Sequence, residues 1–227
     1  MNDKTVFDDW PEKYDKWFQT PIGKLIRYYE GRLVLDMTEP KQGEKILDAG
    51  CGTGVFTKDL LDLGAEVVGL EISIPMLKRA REKLTGHPFH MVPGDMTRLP
   101  FSDNYFDKAV SVTAIEFIED ACIAIEELFR VTRPGGSVIV ATLNSLSPWA
   151  ERRKDAGKKG HAIFKKAFFR SPDDLMSCTP FKGEARSAIH FEKTDEPGRA
   201  KVLEEKGEKE GLDTGAFLVC RWVKQCE

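Results

Sequence analysis

No stretch of this chain approaches the run of about 20 apolar residues that a membrane-spanning helix needs. The opening Met1-Asn2-Asp3-Lys4 has no apolar leader behind it, so a cytoplasmic protein is expected. An excess of one charge is lacking as well. Thirty-four Lys and Arg stand against 37 Asp and Glu, a formal net charge of −3, so no overall field draws nucleic acid or membrane. Cysteine is sparse. The five present are an odd number, with no C-x-x-C and no Cys/His ligand spacing, which argues against both a disulfide framework and a structural zinc. There are no internal repeats and no sign of a Ser/His/Asp arrangement. What remains is a chain of 227 residues, 41% hydrophobic, long enough for one domain with a full three-layer core.

Against that background one segment stands out. Residues 46–54 read Ile-Leu-Asp-Ala-Gly-Cys-Gly-Thr-Gly: a short apolar strand ending in Asp48, then Gly50, Gly52 and Gly54 on alternate positions. Val55 to Leu63 follows with the apolar spacing of a helix. Alternating glycines let a backbone turn tightly and approach a ligand without Cβ interference. The helix behind them offers unpaired N–H groups and a positive dipole end to an anion. The segment predicts a nucleotide-type cofactor loop.

A dinucleotide loop would read G-x-G-x-x-G/A, its last small residue packing helix on strand. Counted from Gly50, the sixth position is Val55, and the third glycine arrives one residue too early. Asp48 has no place in that fingerprint either. The segment instead resembles motif I of the class I S-adenosylmethionine (SAM)-dependent methyltransferases, D-x-G-x-G-x-G, in which Asp48, Gly50, Gly52 and Gly54 fill all four fixed positions. Later segments match in order. Ala65–Leu70 is a β-rich run ending in Glu71, an acid placed to accept from both ribose hydroxyls. Ile72 and Ser73 then lead into a helix that contains Met76 and runs to about Leu84, with Ser73 as N-cap and Pro75 in its first turn. Phe89–Val92 predicts a third strand, followed by Pro93-Gly94-Asp95-Met96. The resemblance implies that Asp95 accepts from the adenine amino group and that the Met96 N–H meets a ring nitrogen. Phe106–Val112 is a fourth strand, with Thr113 at its tip. A helix from Ala121 to Val131 runs into Arg130-Val131-Thr132-Arg133-Pro134-Gly135-Gly136, a second mark of the family, and a fifth strand spans Ser137–Thr142.

The resemblance covers roughly residues 46–144, and its pattern is similar to the ubiquinone/menaquinone-biosynthesis-type small-molecule methyltransferases. It implies a Rossmann-like α/β fold: a seven-stranded, mostly parallel sheet with an antiparallel last strand and helices on both faces. It also implies SAM as cofactor, S-adenosylhomocysteine as product, and Asp48, Gly50, Cys51, Gly52, Gly54, Glu71, Ile72, Met76, Asp95, Met96 and Thr113 around the cofactor. Cys51 reads as a small filler of the loop rather than a nucleophile. One domain over 1–227 is expected, divided into an N-terminal helical segment (1–40), a cofactor-binding core (45–144) and a substrate-side segment with the closing strands (145–227).

The flanks carry the acceptor question. Thr20-Pro21 caps a helix whose Ile22, Leu25, Ile26, Tyr29, Leu33 and Met37 recur at helical spacing. Trp10, Tyr14, Trp17 and Phe18 precede it, either as core packing or as a lid over the cleft. In residues 145–172, Trp149, His161, Phe164, Phe168 and Phe169 alternate with a basic run over 152–166. That run reads as a solvated helix face or as an anion-attracting rim. Phe181–Phe191 predicts a sixth strand, Ala200–Lys206 a short surface helix and Thr214–Val223 the closing strand.

Methyl transfer from a sulfonium is an in-line displacement that needs alignment and a dry site more than a covalent nucleophile. Only Glu116, His161 and Tyr14 stand out as candidate catalytic groups. His87, His90 and His190 read as structural, and no metal is expected. The fourth-strand tip, Val112-Thr113-Ala114-Ile115-Glu116-Phe117, lacks the Asn-Pro-Pro-Tyr type motif of methyltransferases acting on adenine or glutamine nitrogen. A small, apolar or aromatic acceptor, methylated on carbon or oxygen, is expected between the N-terminal segment and residues 145–170. No nucleic-acid partner is expected, and the sequence is silent on oligomeric state. The alternatives are a non-catalytic SAM-binding protein, a methyltransferase acting on a macromolecule and, weakest, a nicotinamide-dependent oxidoreductase.

Overall fold

Two helices lead into the sheet, each started by a proline in its first turn, where the missing N–H costs nothing. In the computed structural model, which describes residues 5–225, these are α1 (Pro11–Trp17) and α2 (Pro21–Thr38). Met1–Lys4, read above for a leader, and Cys226 lie outside the described residues. The Thr20 hydroxyl accepts from the Gly23 N–H at 3.1 Å, as a capping residue should. The apolar stripe of α2 buries Ile26, Tyr29, Leu33, Val34 and Met37.

Strands and helices then alternate: β1 (Lys45–Ala49), α3 (Thr57–Asp62), β2 (Glu66–Glu71), α4 (Ile74–Lys83), β3 (Phe89–Pro93), β4 (Phe106–Val112), α5 (Ala121–Val131) and β5 (Thr132–Leu143). The second part adds α6 (Pro148–Lys158), α7 (Pro172–Met176), β6 (Gly183–Ala188), α8 (Pro197–Glu210) and β7 (Phe217–Val223). All seven strands join one sheet in the order β3-β2-β1-β4-β5-β7-β6. The first five run parallel, and β7 is antiparallel to both β5 and β6. This is the expected seven-stranded sheet with its antiparallel last strand.

The central strands read as continuous apolar runs because helices cover both faces. On one face α2, α3 and α8 pack over Ile46, Val110, Ile139 and Val219; on the other α5 and α7 pack over Leu47, Ala109, Val138 and Cys220. The strand order reverses between β1 and β4, so their C-terminal ends part and leave the crevice in which open α/β sheets bind ligands.

Three elements depart from the sequence expectation. The Pro-Gly-Gly turn is not separate from the fifth strand: Phe106 pairs with Thr132 and Lys108 with Ser137, so residues 133–136 bulge within β5. Helix α8 is twice the expected length. It is held by Glu204, fully buried, whose carboxylate accepts from the Ile189 and His190 N–H groups at 2.9 and 2.7 Å. Gly207 lets the His190 ring lie against the helix, since a Cβ there would come within 2.2 Å of it. The third departure is a disulfide between Cys122 and Cys178, where none was expected. The pairing joins the first turn of α5 to the turn that follows α7, 56 residues apart in sequence but with Cα atoms 4.8 Å apart. Cysteine count and spacing cannot reveal a contact that the fold creates.

Candidate active site

The cleft at the switch point encloses about 370 Å³, within the range of small-molecule sites. Its floor is the loop after β1. Gly50 takes φ of +80°, and a Cβ there would lie 2.3 Å from the Ala114 side chain, so the loop can reach the tip of β4 only with glycine. Gly52 takes φ of +55°, yet an added Cβ would meet no protein atom within 4 Å. The face left bare by Gly52 is open space beside the loop, a cradle that any larger side chain would fill. Gly54 serves a different purpose. It does not line the cleft, and its missing Cβ makes room for Leu84 at 2.8 Å.

The side chains predicted around the cofactor converge on this cleft. Asp48, Gly50, Cys51, Gly52, Glu71, Ile72, Met76, Asp95, Met96 and Thr113 all line it. Glu71, at the end of β2, accepts from the Gly52 N–H at 3.0 Å and the Ser73 N–H at 2.9 Å. Burial pushes its carboxyl up, against those amides that favour the ionised form. These two bonds leave lone pairs of the carboxylate for a diol. Asp48 is buried and accepts from the Thr57 hydroxyl at 2.6 Å; burial pushes its pKa up to about 6. Asp95 folds into a tight turn, accepting from the Thr97 N–H and hydroxyl, both at 2.9 Å. The Met96 N–H makes no hydrogen bond among the described residues and remains a free donor beside Asp95. Cys51 is buried, and its thiol is held well above its ordinary pKa by desolvation and by Asp48, so it is a filler, not a nucleophile.

The N-terminal segment closes the cleft. Phe7 and Tyr14 line it directly, and Tyr14 Oη lies 3.5 Å from Thr113 Oγ1. The segment is tied at two points. Asp8 accepts from the Ser73 hydroxyl at 2.7 Å. Asp15, on the buried side of α1, accepts from the Thr53 hydroxyl at 2.8 Å, from Arg79 Nε at 3.0 Å and from Lys83 Nζ. Burial works to raise the Asp15 pKa, but these donors outweigh it and hold the carboxyl below its ordinary value. The latch therefore joins α1 to the glycine loop and to α4 together.

The acceptor-side expectations fare less evenly. Of Tyr14, Trp17, Phe18, Trp149, Phe164 and Phe168, expected to flank the acceptor, Tyr14 alone lines the cleft, which Phe7, Phe56 and Phe117 also line. Trp17 and Phe18 pack on the core with α2. Trp149 is buried and donates to the Phe191 carbonyl at 2.9 Å. His161 is exposed, stacked on Phe164 at 4.4 Å and outside the cleft, which removes it as a base facing the cofactor. Phe7 escaped the sequence reading because it stands ahead of any helical periodicity. Glu116, in the 310 turn Ile115–Phe117, is buried, accepts from Thr142 Oγ1 at 3.0 Å and is pushed by burial up to about 7.

The fold and this glycine-floored cleft, with an acid on each of the first two strands, have the architecture of the class I methyltransferases. Residues 47–140 match the family model of the methyltransferase domain. Over that span the chain resembles the class I SAM-dependent methyltransferases, and among them those of the quinone-biosynthesis type. It is 36% identical over 138 residues to a demethylmenaquinone methyltransferase of Paenarthrobacter aurescens, covering 60% of this chain and 53% of that protein. It is 42% identical over 105 residues to a malonyl-[acyl-carrier protein] O-methyltransferase of Erwinia billingiae, covering 46% and 41%. The chain thus spans about half the length of the curated relatives it matches. Among solved structures, a SAM-dependent methyltransferase of Thermotoga maritima, described as a possible histamine N-methyltransferase, superposes with a TM-score of 0.77 at 23% identity. That match covers 97% of this chain and 98% of the other. It is a likeness of fold.

Proposed function

We propose that this protein transfers a methyl group from SAM to a small acceptor with an apolar or aromatic body. The observation that carries the reading is the convergence of Gly52, Glu71, Asp95 and Met96 on one cleft. Bound there, SAM supplies an activated methyl on a sulfonium. Gly50 and Gly52 let the backbone pass beneath the methionine portion. Glu71 accepts from the ribose hydroxyls, while Asp95 and the Met96 N–H read adenine. The Tyr14, Phe7 and Phe117 rings offer π faces to a cation and exclude water from the reacting centre. The phenol of Tyr14 stays protonated, because burial raises its pKa, so it donates or positions rather than acting as a base.

The acceptor enters beneath the N-terminal segment, between α1 and the turn after β4, rather than along residues 145–170. The mostly apolar side chains around that opening favour a small molecule, in agreement with a near-neutral chain that has no basic stripe for nucleic acid. The test is ligand-dependent melting. SAM and S-adenosylhomocysteine should each raise the melting temperature, NADH should not, and a metabolite extract incubated with SAM should yield a product heavier by one methylene. A rise with NADH alone would replace this reading with an oxidoreductase. Tight SAM binding with no product from any extract would leave a non-catalytic SAM-binding protein.

A further inference from the structure

One wall of the cleft is the stretch between β4 and α5, from which Phe117 and Ile118 line it. That stretch does not stand by itself. Residues 168–178 hold it from outside, and the Cys122–Cys178 bond closes the far end of the hold. We infer that this bond is a redox switch on the cleft: oxidised, it fixes the Phe117–Ile118 wall in its binding position, and reduced, it releases the wall and weakens binding. The inference rests on the methyl-transfer reading above and concerns the regulation of that same site.

The two ends of the wall are held differently. At the β4 end, Ile115 and Glu116 are buried, the Thr142 hydroxyl donates to Glu116 at 3.0 Å, and the Phe168 N–H donates to the Glu116 carbonyl at 2.7 Å. At the α5 end, Phe117 and Ile118 are half-buried and Glu119 and Asp120 exposed. The non-covalent hold there comes from Arg170, whose guanidinium donates to the carbonyls of Ile118 and of Glu119, the latter at 2.9 Å. Asp120 then starts α5 by accepting from the Cys122 N–H at 3.0 Å, so a shift of Cys122 moves the cap and the turn before it. Across the bond, Cys178 follows α7, a helix of five residues anchored by the buried Leu175 and by the Ser171–Asp174 capping pair. Phe7 of the N-terminal segment rests on Phe117 with ring centroids 4.7 Å apart, so movement of the wall also reaches the cover of the cleft.

The bond is also placed to be opened. Cys122 and Cys178 are both only half-buried, and accessible disulfides are the ones that exchange. Cys51 and Cys220 are buried as free thiols, and burial holds both above their ordinary pKa, so neither competes for the exchange. The reductant is a dithiol. One of its thiolates attacks a sulfur of the bridge and forms a mixed disulfide, releasing the other protein sulfur. Its second thiol then displaces the remaining protein sulfur and closes the reductant into its own disulfide. Two electrons and two protons pass from the dithiol to Cys122 and Cys178, which become two thiols. With the bond gone, the α5 end of the wall keeps only the Arg170 hydrogen bonds, each of modest net worth.

The experiment uses the full chain, air-oxidised or reduced with dithiothreitol, with the redox state of Cys122 and Cys178 read by alkylation and peptide mass. Circular dichroism confirms that both forms are folded at the working temperature. Calorimetry should show S-adenosylhomocysteine binding about fivefold or more weaker to the reduced form. Linkage makes the effect reciprocal: saturating S-adenosylhomocysteine should raise, by that same factor, the ratio of reduced to oxidised dithiothreitol needed to open half of the bonds. A bond that only staples the fold would not move that ratio. Cys122→Ser and Cys178→Ser should each bind like the reduced protein and ignore dithiothreitol, and hydrogen exchange over residues 115–122 should be faster in them than in the oxidised wild type. Equal affinity in the two redox states, an unmoved ratio, or free thiols at both positions in the oxidised protein would each overturn the inference and leave the cofactor reading standing. Unfolding of the reduced form would overturn it too, since the bond would then hold the whole fold rather than the cleft. Failure of S-adenosylhomocysteine to bind either form would overturn the methyl-transfer reading and this inference with it.

Discussion

Phe7 meets Phe117 edge to face, with ring centroids 4.7 Å apart and planes at 78°. The pair joins the first described turn of the chain to the turn after β4, and so closes the cleft over whatever lies in it. A double-mutant cycle of Phe7→Ala and Phe117→Ala, read by denaturant unfolding, should show a coupling of about 0.5–1.5 kcal/mol. Strictly additive losses would mean that the segment does not rest on the turn in solution.

The Asp15 latch should matter for stability and for cofactor affinity together. Asp15→Ala leaves Lys83, Arg79 and Thr53 without their shared acceptor. The expected loss is about 2–3 kcal/mol of stability, discounted from a fully buried pair because Arg79 is 40% exposed. Thr53 lies in the glycine loop, so S-adenosylhomocysteine should also bind more weakly. Thermal melts with and without this ligand check both effects.

Cofactor affinity should depend most steeply on the two positions where the cleft allows least substitution. Glu71→Ala should cost about 1.5–3 kcal/mol, roughly ten- to a hundredfold in SAM affinity. Gly52→Val places a branched side chain in the open face of the loop at φ of +55° and should abolish binding. Calorimetry showing both variants equal to wild type would remove SAM from this cleft.

Stability should respond to pH through Glu30. Burial raises its pKa in the folded protein from 4.5 to about 8, so the folded state holds a proton that the unfolded chain releases. A raised carboxyl gives stability that is fully present below pH 4.5 and is lost as pH rises through about 8. Glu30→Gln, which cannot ionise, should therefore gain melting temperature relative to wild type as pH rises across that window. The gain should be about 2–4 °C for each kcal/mol recovered. The charged groups facing Glu30 are Arg153, Arg27 and Glu116. Glu116, raised to about 7, contributes in the same direction and persists in the variant.

Reduction should destabilise the fold through the Cys122–Cys178 bond. A crosslink closing 56 residues restricts the unfolded chain by about 4 kcal/mol in the chain-entropy treatment. Melting with and without reductant should show a drop that is absent in Cys122→Ser. An unchanged melting temperature in the wild type would mean that the thiols are unpaired.

The sequence by itself determined what depends on neighbours along the chain. The glycine spacing at 50, 52 and 54 identified the loop, because a backbone at positive φ and a bare approach surface demand that residue type locally. Thr20 and Ser73 announced helix starts through hydroxyls that accept from backbone N–H groups a turn later, and both do so. The apolar runs identified the parallel strands, since residues buried on both faces leave no alternation. With these in hand, the resemblance to the methyltransferase pattern named the ten residues that the structure gathers at the cleft.

Only the tertiary structure decided the rest. That Phe7 rather than Trp17 faces the cleft depends on how α1 docks, and that docking rests on Asp15 reaching Lys83, 68 residues away. That His161 points to solvent while Glu116 is sealed inside follows from packing of the β4 turn under residues 167–170, where the Phe168 N–H donates to the Glu116 carbonyl at 2.7 Å. The disulfide and the buried Glu204 share one character. Each joins parts of the chain that only the packing of the layers brings together. Local chemistry identifies an element and its ends, but which polar groups are desolvated together is settled only when the layers close.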